Sequence, residues 1–133
     1  MATGYHQLGT LVHDRGDYGE AERRIHQSLQ IYERLGSQAE IALSWSNLGT
    51  LAMERRQYAE ATVWHIRALL VRLNLQVPRA AYNARALAAL RVHMGNDSFV
   101  TAARTVVDDM QLIEIPAVVD SLGTNDLGGL ETE

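Results

Sequence analysis

The stretch Leu8-Gly9-Thr10-Leu11 returns forty residues later as Leu48-Gly49-Thr50-Leu51. The same shift lays Tyr5 on Trp45, Arg15 on Arg55, Tyr18 on Tyr58, Glu20-Ala21 on Glu60-Ala61, Leu29 on Leu69 and Leu35 on Leu75. Recurrence at a fixed period of roughly 20–50 residues marks a stacked repeat array. The units of such an array bury their apolar faces against their neighbours and leave a long surface for binding. The chain is therefore expected to act by contact rather than by chemistry.

Within each unit the apolar spacing is helical. Tyr5, Leu8, Leu11 and Val12 recur at intervals of three and four, which predicts a helix over about Thr3–Asp14. Arg15-Gly16-Asp17 ends it, with Gly16 suited to a left-handed cap. The same tripeptide spells an adhesion motif, but a helix-stopping turn accounts for it. A second helix is predicted over about Tyr18–Leu35, with Ala21, Ile25, Ser28, Leu29 and Tyr32 inward and Glu20 and Arg24 paired outside. Gly36 ends it, and Ser37 is placed to cap the next. Further helices are expected over about Ala39–Arg55, Tyr58–Asn74, Arg79–Met94 and Ser98–Met110, with Gly95-Asn96-Asp97 as the last turn.

The third unit has drifted. Val92-His93 still matches Val12-His13 at a shift of eighty, but Phe99 and Ala102 match Tyr18 and Ala21 only at eighty-one. Ala88-Ala89 replace Leu-Gly, and Asp109 stands where earlier units have Ser28 and Ala68. Terminal units are atypical because one face has no neighbour. After them, Ile113 to Leu122 reads as a short capping segment opened by Pro116. The Gly-rich, acidic stretch from Gly123 reads as a loose tail. The division expected is thus one domain over 1–133: units at 1–36, 37–77 and 78–112, a cap at 113–122 and a tail at 123–133.

The aromatic at Tyr5 or Trp45, the Leu-Gly at 8–9 or 48–49, the turn aromatics Tyr18, Tyr58 and Phe99, and the small residues Ala21, Ala61, Ala102 and Ala68 resemble the tetratricopeptide repeat family. Glycine and alanine at these positions let paired helices approach closely. The resemblance covers about Tyr5 to Met110. It implies an all-α, right-handed array of three helix pairs with a short C-terminal cap. The forty-residue unit is similar to the long variety found in kinesin light chains and bacterial multidomain regulators, which leaves open whether this is a piece of a longer chain.

In such an array the first helix of each unit is expected to line the concave side. One stripe there is His6, Thr10 and His13, carried to Ser46, Thr50 and Met53, then to Ala86, Leu90 and His93. A second is Gln7 and Asp14, carried to Asn47 and Glu54, then to Leu87 and Met94. These residues are the expected partner-binding groove, polar towards the N-terminus and apolar towards the C-terminus, fitting an extended or helical peptide. Some family members grip a C-terminal carboxylate there with Lys and Asn; His6, Thr10, Ser46, Thr50, Ala86 and Leu90 offer no such clamp.

Composition removes other classes. The chain has 133 residues and 47% hydrophobic content, enough for one domain with a core. It has no cysteine, so no disulfide or thiolate site, and all twelve basic residues are arginine, so no lysine nucleophile. A net charge of −4 argues against nucleic acid. No apolar run approaches the roughly 20 residues needed to span a membrane. Met1 to His6 has neither a basic nor an apolar signal region, so the expected location is cytoplasmic.

His6 and His13 lie about 10 Å apart along their helix and cannot share a metal. His65 replaces the apolar Ile25 of the first unit and reads as a hydrogen-bonded, partly buried histidine. Asp108-Asp109 point about 100° apart and make no acid–base dyad. The reading is therefore a non-catalytic protein- or peptide-binding module with no cofactor or metal. The alternative is a homodimer formed through the N-terminal unit, where Ile25, Leu29 and Tyr32 would be left partly open.

Overall fold

Asp17 starts the first helix that the structure describes. Its carboxylate accepts the backbone N–H of Glu20 at 3.0 Å, satisfying one of the donors that a helix N-terminus leaves unpaired. The computed structural model describes residues 17–108 together with Ile115, Val118 and Val119. It places α1 at Tyr18–Leu35, α2 at Gln38–Glu54, α3 at Tyr58–Leu75, α4 at Ala80–Met94 and α5 at Asn96–Ala103. Among the described residues there is no strand. The expected helix over 3–14, the Gly16 cap, Asp109 and the tail at 123–133 lie outside the described residues, as does all of the proposed cap except Ile115, Val118 and Val119.

The two long second helices end alike. Gly36 closes α1 in the left-handed region, with φ 67°, and Gln76 closes α3 with φ 57°. In each case the following N–H reaches back five residues, Ser37 to Tyr32 and Val77 to Arg72. Arg56, with φ 60°, makes the tight turn between α2 and α3. Ser37 stands at the start of α2, but its side chain makes no capping bond, so that expectation is corrected.

Short connections fold neighbouring helices back on each other. α2 packs between α1 and α3, and α3 packs on α2, α4 and α5. The core falls into two clusters. Ala21, Ile25, Leu29, Tyr32, Ile41, Leu48 and Leu51 form the first, with Tyr18, Trp45 and Trp64 at its margin. Ile66, Leu69, Leu87, Leu90, Phe99 and Val107 lie in the second, joined by Ile115 and Val119. The partial exposure expected of Ile25, Leu29 and Tyr32 is not found: all three are buried.

Two further expectations are corrected at the C-terminal end. The last helix does not run from Ser98 to Met110. Asn96 and Asp97 belong to it rather than to the turn, and it ends at Ala103. Beyond it, the Thr105 and Val106 amides bond three residues back, to Ala102 and Ala103. The β-branched run Thr105-Val106-Val107 disfavours continuing the helix. Val92, which the repeat places on the apolar stripe, is 82% exposed, because none of the described residues covers α4 on that side.

Candidate functional site

The first helices of the second and third units, α2 and α4, meet through a hydrogen bond. Thr50 Oγ1 and Tyr82 Oη lie 3.0 Å apart, and both residues are half-buried. By helix spacing Asn47, Thr50 and Glu54 share one face of α2, and Tyr82, Ala86, Ala89 and His93 share one face of α4. The Thr50–Tyr82 bond joins these faces into one surface. Asn47, Met53, Ala86 and Ala89 are half-buried, while Glu54 and His93 are exposed. The His93 ring stacks on Tyr58, the aromatic of the preceding turn, with centroids 5.4 Å apart and planes at 10°.

Beneath this surface lies a polar network. Asn83, fully buried on α4, receives a hydrogen bond from Arg72 Nη1 on its Oδ1 at 2.8 Å. Its amide nitrogen reaches Ser46 Oγ at 2.9 Å and His65 Nδ1 at 3.0 Å. Ser46 in turn donates to the Ala42 carbonyl at 3.0 Å. Arg72 also reaches the Arg79 carbonyl at 3.4 Å. Three helices thus contribute: α2 gives Ser46, α3 gives His65 and Arg72, and α4 gives Asn83.

α2 and α3 approach closely at the same place. A side chain on Gly49 would put its Cβ 2.6 Å from His65 Cδ2, so the Leu-Gly of the repeat is the seat of the imidazole. His65 is 1% exposed, and its Nε2 has no hydrogen-bond partner. Burial, with the Arg72 charge adding to it, pushes the imidazole down to about 4. Burial also lowers Arg72 to about 10, helped by Arg79 and opposed by Tyr82. Arg72 is therefore still the cation at neutral pH, and His65 is neutral.

The expected groove residues divide accordingly. Thr50, Asn47, Met53, Glu54, Ala86 and His93 reach the surface to differing degrees. Ser46, Leu87 and Leu90 do not: all three are fully buried. The stripe facing the next unit is closed by that unit, so Ser46 meets Asn83 and Leu90 enters the second apolar cluster. His6, Thr10, His13 and Asp14 lie outside the described residues. His65 was legible as a hydrogen-bonded histidine, though it is more deeply buried than expected. Arg72, Tyr82 and Asn83 were missed. Their signal was available in the forty-residue shift, which sets Arg72 on Tyr32, Tyr82 on Ala42 and Asn83 on Leu43.

On the opposite side, the second helices α1 and α3 approach through the His26–Trp64 edge contact, centroids 6.3 Å apart. Arg67 lies over the Trp64 ring at 5.2 Å. Arg55 spans from the α2–α3 turn to Glu22 at 3.0 Å and covers Tyr18. Among the described residues no cluster of histidine and carboxylate groups is placed to hold a metal ion, and no helix is long and apolar enough to cross a membrane.

Residues 1–61 match the family model of the tetratricopeptide repeat. No curated protein and no solved structure matches the chain. With paired helices and the Leu-Gly motif packed against the second helix, the chain is an all-α, tetratricopeptide-like helical-repeat array, of which residues 1–61 carry the family match.

Proposed function

We propose that the chain is a non-catalytic module that binds a protein or peptide along the face shared by its first helices. Tetratricopeptide repeats mediate protein–protein interaction, and this reading gives that general role a place on the chain. The observation that supports it is the Thr50–Tyr82 bond, which makes one continuous strip of α2 and α4. Along that strip amide, hydroxyl and carboxylate groups at Asn47, Thr50 and Glu54 pass into the small apolar Ala86 and Ala89 and the imidazole of His93. A segment with mixed polar and apolar side chains fits such a strip. The module acts in the cytoplasm as the sensing or scaffolding part of an assembly.

The test compares capture of partners from native cell extract by the wild type, Ala89→Arg and Arg67→Glu. Ala89 lies on the strip and Arg67 on the exposed side of α3. Partners held by the wild type and by Arg67→Glu but lost by Ala89→Arg, with thermal melts unchanged, support the strip. Loss with Arg67→Glu alone moves binding to the second helices. A partner-free wild type that elutes as a dimer, and turns monomeric on mutation of the N-terminal unit, favours self-association.

A further inference from the structure

The two interfaces between successive units are built from different chemistry. Where the second interface has His65, Arg72 and Asn83, the shift of forty places Ile25, Tyr32 and Leu43 in the first. Ile25 and Tyr32 are buried in an apolar cluster. Among the described residues, only the second interface therefore carries a buried group that gains a proton between neutral and acidic pH.

The network also has a direction. A guanidinium can only donate, so Arg72 holds the Asn83 amide with Oδ1 towards itself and its NH2 towards Ser46 and His65. His65 Nδ1 must then accept, which leaves the imidazole proton on Nε2. A second proton on Nδ1 would set N–H against N–H. Turning Asn83 over would remove that clash but would aim its NH2 at the guanidinium. Ser46 offers no relief, since its hydroxyl already donates to Ala42. The groups facing His65 are Ser46 and Gly49 from α2, Asn83 and the Tyr82 ring, at 6.2 Å, from α4, and Arg72 on its own helix. The charged one among them is a cation.

We propose that the interface between the second and third units is an acid-labile joint: His65 takes up a proton only when α4 and α5 part from α2 and α3, so acid opens this joint while the joint before it, with Ile25, Tyr32 and Leu43 at the equivalent positions, stays closed. Repeat arrays open unit by unit when one interface weakens, because each unit touches only its neighbours. The sign follows from linkage. His65 binds its proton less readily in the closed joint than in the open one. The closed joint is therefore fully favoured above the open-state value of 6.5, and that advantage is lost as pH falls towards 4.

Hydrogen exchange of the full chain, expressed as protection factors at pH 7 and pH 5, tests this. Amides of Ala80–Ala103 are expected to lose about 20-fold protection over that step, from proton uptake at a single site. Those of Tyr18–Leu35 are expected to change less than about twofold, since among the described residues no buried imidazole opens there. The triple variant His65→Ile, Arg72→Tyr and Asn83→Leu puts the first interface's residues at these three positions, and in it the loss should disappear. Unchanged protection in the wild type, an equal fall in α1 and α4, or the same fall in the variant would each overturn the proposal. Should the variant not fold, the imidazole nitrogen shifts of wild-type His65 decide. A neutral ring protonated on Nε2 from pH 7 to pH 5 is expected, and an imidazolium in the closed protein at pH 6 refutes it.

Discussion

Gly49→Ala places the sharpest demand on this packing. The added Cβ would lie 2.6 Å from His65 Cδ2, 2.7 Å from Nε2 and 3.1 Å from Cγ, against an ordinary contact of 3.4–4 Å. Three atoms of one rigid ring are involved, and Asn83 tethers that ring from the other side, so the ring cannot swing away without losing its hydrogen bond. Overpacking of this kind costs about 1–3 kcal/mol. Against it stands the helix preference of alanine over glycine, about 1 kcal/mol. Taking the upper part of the first range gives a net loss of roughly 2 kcal/mol. At a urea dependence of about 2 kcal/mol/M, the unfolding midpoint should fall by about 1 M. Gly19→Ala is the internal control: it lies in α1 with nothing within 4 Å of its added Cβ, and the midpoint should hold or rise. A cycle with His65→Ala completes the assay, since removing the ring should remove most of the Gly49→Ala penalty. A Gly49→Ala midpoint at or above that of the wild type would refute the claim that this glycine exists to seat the imidazole.

Gln76→Gly should stabilise by about 0.5–1 kcal/mol in the same urea assay, because φ 57° suits glycine and the equivalent Gly36 already adopts it. Asp17→Ala should cost about 1 kcal/mol, while Ser37→Ala, lacking a capping bond to lose, should stay within about 0.5 kcal/mol of the wild type. Tyr82→Phe, read by thermal melting, should cost about 1 kcal/mol through the bond to Thr50. Ala61→Leu, at a fully buried position, should destabilise by about 1–3 kcal/mol, and Ala59→Leu on the exposed side of the same helix should be near neutral.

The sequence carried the helix pairs because each end has a local cause. Gly36 and Gly95 interrupt the periodicity, and Arg56-Gln57 separates two apolar runs of helical spacing. It misplaced the end of α5 because no glycine or proline marks it; three β-branched residues stop that helix only in concert with packing. The surface strip was legible at Thr50, Glu54 and His93, where helix spacing alone fixes the face. It failed at Ser46 and Leu90, because periodicity gives the direction of a side chain but not the distance of the next helix. The polar network was half visible. His65 stands out against Ile25, but its partners Arg72 and Asn83 lie on two helices, and only their shared departure from Tyr32 and Leu43 marks them.

The directed amide at Asn83 also gives the units an order. If the second unit were followed by a copy of itself, Leu43 would occupy the place of Asn83, and His65 and Arg72 would be buried facing an aliphatic side chain. Burial of a cation and an imidazole without the amide that joins them is unfavourable. The array therefore cannot be lengthened by duplicating its middle unit, nor its units exchanged. Each joint accepts one neighbour, and the polar one acts as an address written into the interior of the protein.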